Sequence, residues 1–276
     1  MTDWTAYQVS FQMLAPMHIG YRKIGNLQQT RYYVPARTLW GALTAQMTRE
    51  FTSAKKKDYE DIGKAIDENL RFSYFYPSEE SNKLNLFPWG NTKSEFEWTF
   101  ISSQMSTSIK GETKSSEDGL LHETEFILPI SRNGKQVYLN GYVFEKNDNS
   151  DQIISKWKEQ LSNIQLGGER GYGWGRVKVD EKTILECSEV FNFETQLNQT
   201  EDPIIKLNKD CIIMSHVRFN SEDFEGKAEM FASRKTTDGS KHGNAFEEMI
   251  YCWQPGTKIS KDMGFKFVSQ KLWEKP

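Results

Sequence analysis

The chain has little of what most enzyme and secretory classes require. Only three of its 276 residues are cysteine, Cys187, Cys211 and Cys252, odd in number and far apart, which argues against a disulfide framework. None has a C-x-x-C partner, so a zinc site of that kind is excluded as a pattern. No apolar run approaches the ~20 residues that span a bilayer. The opening Met1-Thr2-Asp3-Trp4 lacks the basic and apolar regions of a secretory signal. A cytoplasmic protein without membrane contact is expected.

Nucleotide and hydrolase signatures are missing too. Gly20 and Gly25 have P-loop glycine spacing, but Asn26 stands where a lysine must reach the phosphates. Around Gly171 and Gly173 the dinucleotide pattern fails, because Arg176 takes the place of its third glycine. His122-Glu123 has no second histidine four residues on, and there is no G-x-S-x-G elbow. The histidines His18, His122, His216 and His242 stand singly; His18 is the most interesting, closing the first strand beside a basic loop. Glu123 and Glu125 share a strand face, yet solvated carboxylates outnumber metal ligands in such pairs. No catalytic residue, metal or small-molecule cofactor is assigned.

What is present supports a real core: 37% hydrophobic and 13% aromatic residues are not the profile of a disordered chain. Net charge is −3, but it is unevenly spread. No acidic residue lies between Asp3 and Glu50, while Arg22, Lys23, Arg31, Arg37 and Arg49 supply five cations there. A locally basic region on an acidic chain fits an RNA or phosphate face within a larger assembly.

Trp4 to Leu14 reads as a strand, with Tyr7, Val9, Phe11 and Met13 on one face. A polar loop through Gly25-Asn26 leads to Pro35 and a helix carrying Leu39, Ala42, Leu43 and Met47 at helical spacing. Residues 51–80, rich in lysine and acids, read as a peripheral insertion. Residues 96–101 read as a strand and 102–117 as a polar loop. Two further strands, 120–130 and 136–144, are joined by Ser131-Arg132-Asn133-Gly134, a hairpin signal. Asn149 to Asp151 caps a helix through Ile153, Ile154, Trp157 and Leu161, and Val177–Val179 is a strand. The order β-α-β-β-α-β over 4–180 predicts an α+β fold with a ferredoxin-like, RRM-like core and insertions. Residues 181–276 are expected to be a C-terminal extension or a second small α+β domain, with a strand-like run at 211–214, a loop-rich 224–243, an apolar and aromatic stretch at 246–253 and a short strand candidate at 264–268.

The densest local signal is Gly167-Gly168-Glu169-Arg170-Gly171-Tyr172-Gly173-Trp174-Gly175-Arg176-Val177, which holds five of the 19 glycines. Glycine at nearly every second position lets a backbone approach a partner closely, and successive amides can form an anion-binding concavity. Tyr172 and Trp174, alternating with glycines toward a strand, are expected on one face, either stacking on unpaired bases or anchoring the core.

Three separated stretches, Met17–Gly20 with Tyr33–Leu43, Gly119–Phe126 and Leu166–Val177, resemble the RAMP superfamily of CRISPR-associated proteins, most like the group that caps the 5′ handle of guide RNA. The resemblance covers residues ~5 to 180. It implies one or two ferredoxin-like domains and a non-catalytic RNA-binding subunit whose partners are guide RNA (crRNA) and other CRISPR effector subunits. It assigns RNA contact, or support of that contact, to Gly167, Gly168, Arg170, Gly171, Gly173, Gly175 and Arg176, with Tyr172 and Trp174 as candidates to stack on bases. The segment His18 to Lys23, with Arg22, lines the same groove, with Arg31 and Arg37 as further cations. Glu169 departs from what a phosphate-facing loop should carry. Three alternatives stay open: a backbone-type subunit that also cleaves target RNA, with Asp118 the one candidate; a guide-processing endoribonuclease; and a non-CRISPR scaffold whose Gly-rich turn is structural.

Overall fold

The computed structural model describes residues 3–107, 121–198, 201–219, 223–234, 246–268 and 272–276. Its central strand is β1 (Trp4–Met13), where Val9, Phe11 and Met13 are buried on one face and Trp4, Ala6 and Ser10 on the other. A hairpin follows, β2 (Gly20–Ile24) and β3 (Leu27–Thr30), turning through Gly25 at φ +57°. The polar run expected to be a loop is therefore two strands, and β2 is exposed along its whole length. Helix α1 (Ala36–Phe51) starts after Pro35 and buries Leu39, Ala42, Leu43 and Met47, as their spacing requires. Helix α2 (Lys56–Asn69) buries Ile62, Gly63 and Ile66.

Next come β4 (Leu70–Phe72) and β5 (Tyr76–Ser78), both antiparallel to β8 (Tyr138–Lys146). β8 in turn pairs with β1 from Trp4↔Lys146 to Gln12↔Tyr138. On the other side of β1 lie β9 (Val177–Lys178) and β10 (Leu185–Cys187). Counting β4 with β5 as one strand and β9 with β10 as another, the spatial order is fourth, first, third, second, the ferredoxin-like βαββαβ arrangement.

The class is as expected, but its second strand comes from elsewhere. It lies at 70–78, inside the stretch read as a peripheral insertion. The charged face of α2 and a proline at position 77 obscure it; Pro77 is tolerated because β5 sits at the sheet edge. Residues 96–101, read as a strand, fall mostly in α3 (Lys93–Phe100). The run Phe96-Glu97-Trp98-Thr99-Phe100 satisfies both periods, and packing chooses the helical one: Phe96, Thr99 and Phe100 are buried while Trp98 is exposed. β6 (Ile101–Ser106) and β7 (His122–Ile127) then join the hairpin in a separate four-stranded sheet of order β2-β3-β7-β6. The Asn133-Gly134 turn forms, with Gly134 at φ +76° and bonded to Ser131, but the strands it joins enter different sheets.

The second helix of the core is short. Asp151 caps it through Oδ1, accepting from the amides of Ile153 and Ile154 at 2.8 and 3.0 Å. A 3-10 turn (Ile154–Lys156), α4 (Trp157–Gln160) and another 3-10 turn (Leu161–Asn163) follow, burying Ile154, Trp157 and Leu161 completely.

Beyond Cys187 the chain is mostly strand: β11 (Glu189–Val190), β12 (Phe193–Gln196), β13 (Ile204–Leu207), β14 (Val217–Arg218), β15 (Phe224–Glu225), β16 (Ala228–Arg234), β17 (Phe246–Trp253), β18 (Lys258–Ile259), β19 (Met263–Phe267) and β20 (Trp273–Glu274). Eight of these form one sheet, β11-β12-β13-β19-β20-β14-β17-β16. The run at 211–214 contributes only an isolated bridge, Ile212↔Lys258, and β16 occupies part of the region expected to be loop. This sheet packs on the first: Phe144 meets Phe267 at 4.4 Å, and the Tyr76 hydroxyl donates to the Met214 carbonyl at 2.6 Å. No helix among the described residues is long and apolar enough to cross a membrane.

Candidate nucleic-acid interface

The Gly-rich loop connects the short second helix to β9, so it lies at the end of the sheet where β1 finishes and α1 begins. It is tied down almost entirely by main chain. Leu14 N–H donates to the Arg176 carbonyl at 2.9 Å, Gly175 N–H to Pro16 at 2.7 Å, Leu166 N–H to Gly175 at 2.8 Å and Gly168 N–H to His18 at 2.8 Å. One side chain reinforces it: Gln165 Nε2 donates to the carbonyls of Trp174 at 2.6 Å and Arg170 at 3.2 Å. Nothing in the sequence singled out Gln165, since a lone amide beside a glycine run carries no pattern.

Two glycines are required here by geometry. Gly175 has φ +77°, and a Cβ there would collide with the Leu166 carbonyl; Gly167 has φ +81°, and its Cβ would collide with that of His18. Gly171 has open space around it. Gly167 and Gly175 therefore support the loop, and the exposed surface belongs to its middle. Glu169 enters the left-handed region at φ +53° and opens a 3-10 turn over Arg170–Tyr172; its carbonyl accepts from Tyr172 and Trp174. It makes no ion pair with Arg170. The amides of Glu169, Arg170 and Gly171 have no acceptor among the described residues, whereas those of Gly168, Tyr172, Gly173, Trp174 and Gly175 do. The unengaged amides are thus three in succession rather than those of the whole loop.

The two aromatics do not share a face. Tyr172, on the 3-10 turn, is 84% exposed. Trp174 is half-buried and meets Phe126 of β7 edge-on at 4.9 Å. The expectation of a common face fails because the turn interrupts the two-residue period. Arg170 and Arg176 are exposed and carry no ion pair among the described residues.

His18 ties the motif stretches together. Its carbonyl holds Gly168, and its Nδ1 donates to the Glu125 carbonyl at 2.7 Å, leaving Nε2 as the available ring nitrogen. Met17 pairs with Ile127 alongside. Segments 17–20, 122–127 and 165–176, remote in sequence, are thereby one surface. Arg22 and Lys23 extend from it on exposed β2, neither ion-paired among the described residues; Gln29 Oε1 accepts from Arg22 Nε at 2.6 Å. Arg37 stands in the first turn of α1, at the same end of the sheet. Asp118 and His242 lie outside the described residues. Among the described residues no group of three or more His, Cys, Asp or Glu side chains is disposed to hold a metal ion.

Arg31 is placed differently from the other predicted cations. Its guanidinium is nearly buried, donating to Glu229 Oε1 at 2.7 Å and the Tyr33 hydroxyl at 3.1 Å. Burial opposes its charge, but Tyr33 and Glu229 more than offset this and hold its pKa above the ordinary arginine value. The same Glu229 oxygen accepts from His216 Nε2 at 2.5 Å, so Nδ1 of that fully buried ring is the acceptor for the Tyr74 hydroxyl at 2.7 Å. Burial opposes ionisation of Glu229, but the bond from His216 and the charge of Arg31 outweigh it and lower its pKa to about 2. Burial depresses His216, with Glu229 opposing. Arg31 joins the first core to the C-terminal sheet instead of reaching toward the loop.

A ferredoxin-like α+β protein with a main-chain-locked glycine loop beside the end of its first strand is a recognisable class. The chain belongs to the RAMP superfamily, whose family model matches residues 10–178, more than half its length. Among solved structures, a chain of the type III-B Cmr-β complex bound to cognate target RNA and AMPPnP is similar over 91% of this chain and 85% of its own, with 12% identity and a TM-score of 0.50. A chain of type III-B Cmr-β bound to cognate target RNA covers 91% and 86%, with 13% identity and a TM-score of 0.43. At these identities the likeness is one of fold. No curated protein sequence matches.

Proposed function

We propose that this protein is an RNA-holding, non-catalytic subunit of a CRISPR effector ribonucleoprotein, binding guide RNA across the Gly-rich loop and the adjoining β2 hairpin. The observation that carries this reading is the loop itself. Its flanks are locked to β1 and His18, while its middle offers exposed Arg170 and Tyr172 with three unengaged amides, and the exposed Arg176 side chain follows at the locked end. Guanidinium groups and amides grip phosphate without reading sequence, and Tyr172 is free to stack on an unpaired base. Arg22 and Lys23 continue the positive surface. Membership of the RAMP superfamily and a fold shared with a Cmr-β chain support placement among other effector subunits. Capping of the 5′ handle is the position within the complex that we assign.

The test is retention of single-stranded RNA by the full chain, alone and with partner subunits. Binding should fall steeply with salt, and Arg170→Ala with Arg176→Ala should flatten the log–log slope by about 0.7 per lost phosphate contact. Thermal unfolding should not change, because both side chains are exposed. Salt-independent retention, or loss of folding in place of loss of RNA, would reject the reading.

A further inference from the structure

A second polar site lies on the other side of β7 from the Gly-rich loop. Side chains alternate along a strand: Phe126 faces Trp174, whereas the Glu125 carboxylate turns to the opposite face, where it accepts from the Thr30 amide at 2.9 Å. There a cleft of about 890 Å3 opens between the β2–β3 hairpin, the turn before α3 and the segments 226–229 and 254–257 that flank β16 and β17. That volume suits a small organic ligand.

Its chemistry is graded from mouth to floor. Arg22, Lys93 and Lys227 are exposed at the rim. Gln29 engages only Nε of Arg22, which leaves the terminal amino groups to face a ligand, and Lys227 has no side-chain partner among the described residues. The floor is the buried Arg31–Glu229 pair with Tyr33, neutral as a unit. Between them stand hydrogen-bonding groups: the Gln29 and Gln254 amides, the Tyr32 hydroxyl, the Glu125 carboxylate and Glu97, which Lys93 pairs with at 3.6 Å. An anionic group is favoured at the mouth, and a planar neutral group with donors and acceptors on its edge is favoured within.

We infer that this cleft seats one unpaired nucleotide of a bound strand, its phosphate at Arg22 and Lys227 and its base directed toward Gln29, Tyr32 and Glu125. The inference rests on the RNA reading above and deepens it: the loop grips the backbone, and the cleft takes a single base out of the stack.

The experiment irradiates the full chain with single-stranded RNAs carrying 4-thiouridine at each position in turn and maps the crosslinked peptides. One position should crosslink within 21–33, 89–93 or 226–229 and others within 165–176. Arg22→Ala combined with Lys227→Ala should abolish the first set, leave the second, and weaken retention by about tenfold. Calorimetry supplies the second measurement, with a ribonucleoside 5′-monophosphate binding at least tenfold tighter than inorganic phosphate. Crosslinks confined to 165–176, cleft crosslinks that survive the double variant, or equal affinity for inorganic phosphate would overturn the cleft while leaving the RNA reading intact. Absence of both crosslinks and retention would overturn both.

Discussion

The Gly-rich loop and the junction around Glu229 are both polar, and opposite means hold them in place. The loop is built from carbonyls and amides, with two glycines where no Cβ fits, and sends its charged side chains into solvent. The junction buries its charges: one carboxylate serves Arg31 and His216 together, and Tyr74 closes the chain of bonds. The loop keeps its cations hydrated and its backbone rigid. A joint between two sheets instead spends its charges on one another.

The contrast can be broken most severely at Glu229. Glu229→Ala leaves a guanidinium and an imidazole buried without their shared acceptor, and should cost about 3–5 kcal/mol in denaturant unfolding. A loss under ~1 kcal/mol would show that the junction is solvated. Next in size is Gly175→Ala, which adds backbone strain to a collision with the Leu166 carbonyl, for about 2–4 kcal/mol. Gly171→Ala, with open space around it, should stay within ~0.5 kcal/mol. Equal effects at the two glycines would mean that the loop is not locked.

Acid should loosen the junction before it touches the loop. His216 is held neutral, its pKa lowered by burial, so its contribution is complete above the ordinary histidine value of about 6.5. Below that value the unfolded chain takes up the proton first, and stability falls. Glu229, lowered to about 2, contributes fully above the ordinary carboxylate range and loses that contribution as pH falls from about 4.5 toward 2. Denaturation midpoints from pH 8 to pH 3 should therefore decline in two stages, and a flat profile between pH 7 and 5 would contradict the first. The smallest stability effect belongs to Tyr172→Ala, within ~0.5 kcal/mol for folding, although it should cost ~1–3 kcal/mol in RNA binding.

Legibility in the sequence followed the strength of local signals. Helix α1 announced itself through Pro35 and four apolar residues at helical spacing, and β1 through the loose alternation of Tyr7, Val9, Phe11 and Met13. The second core strand did not, because Leu70 to Ser78 is short, carries Pro77 and follows the charged face of α2. Phe96 to Phe100 satisfied two periods at once, and only the packing of Phe96 against Phe100, at 5.0 Å, distinguishes them. At the candidate interface, the glycines and arginines stood out as a cluster, but Gln165 did not, and Arg31 looked like the other cations of its segment. Its partner Glu229 lies nearly two hundred residues away, beyond the reach of any local pattern.

By itself, the sequence determined the α+β class, the first strand and helix, and the glycine loop as the chain's most distinctive feature, since each rests on residues within a few positions of one another. Tertiary structure alone decided which glycines are steric necessities, that Tyr172 faces solvent while Trp174 packs on Phe126, and that Arg31 is a joint rather than a free cation. Those outcomes depend on burial and on partners brought together by sheet pairing.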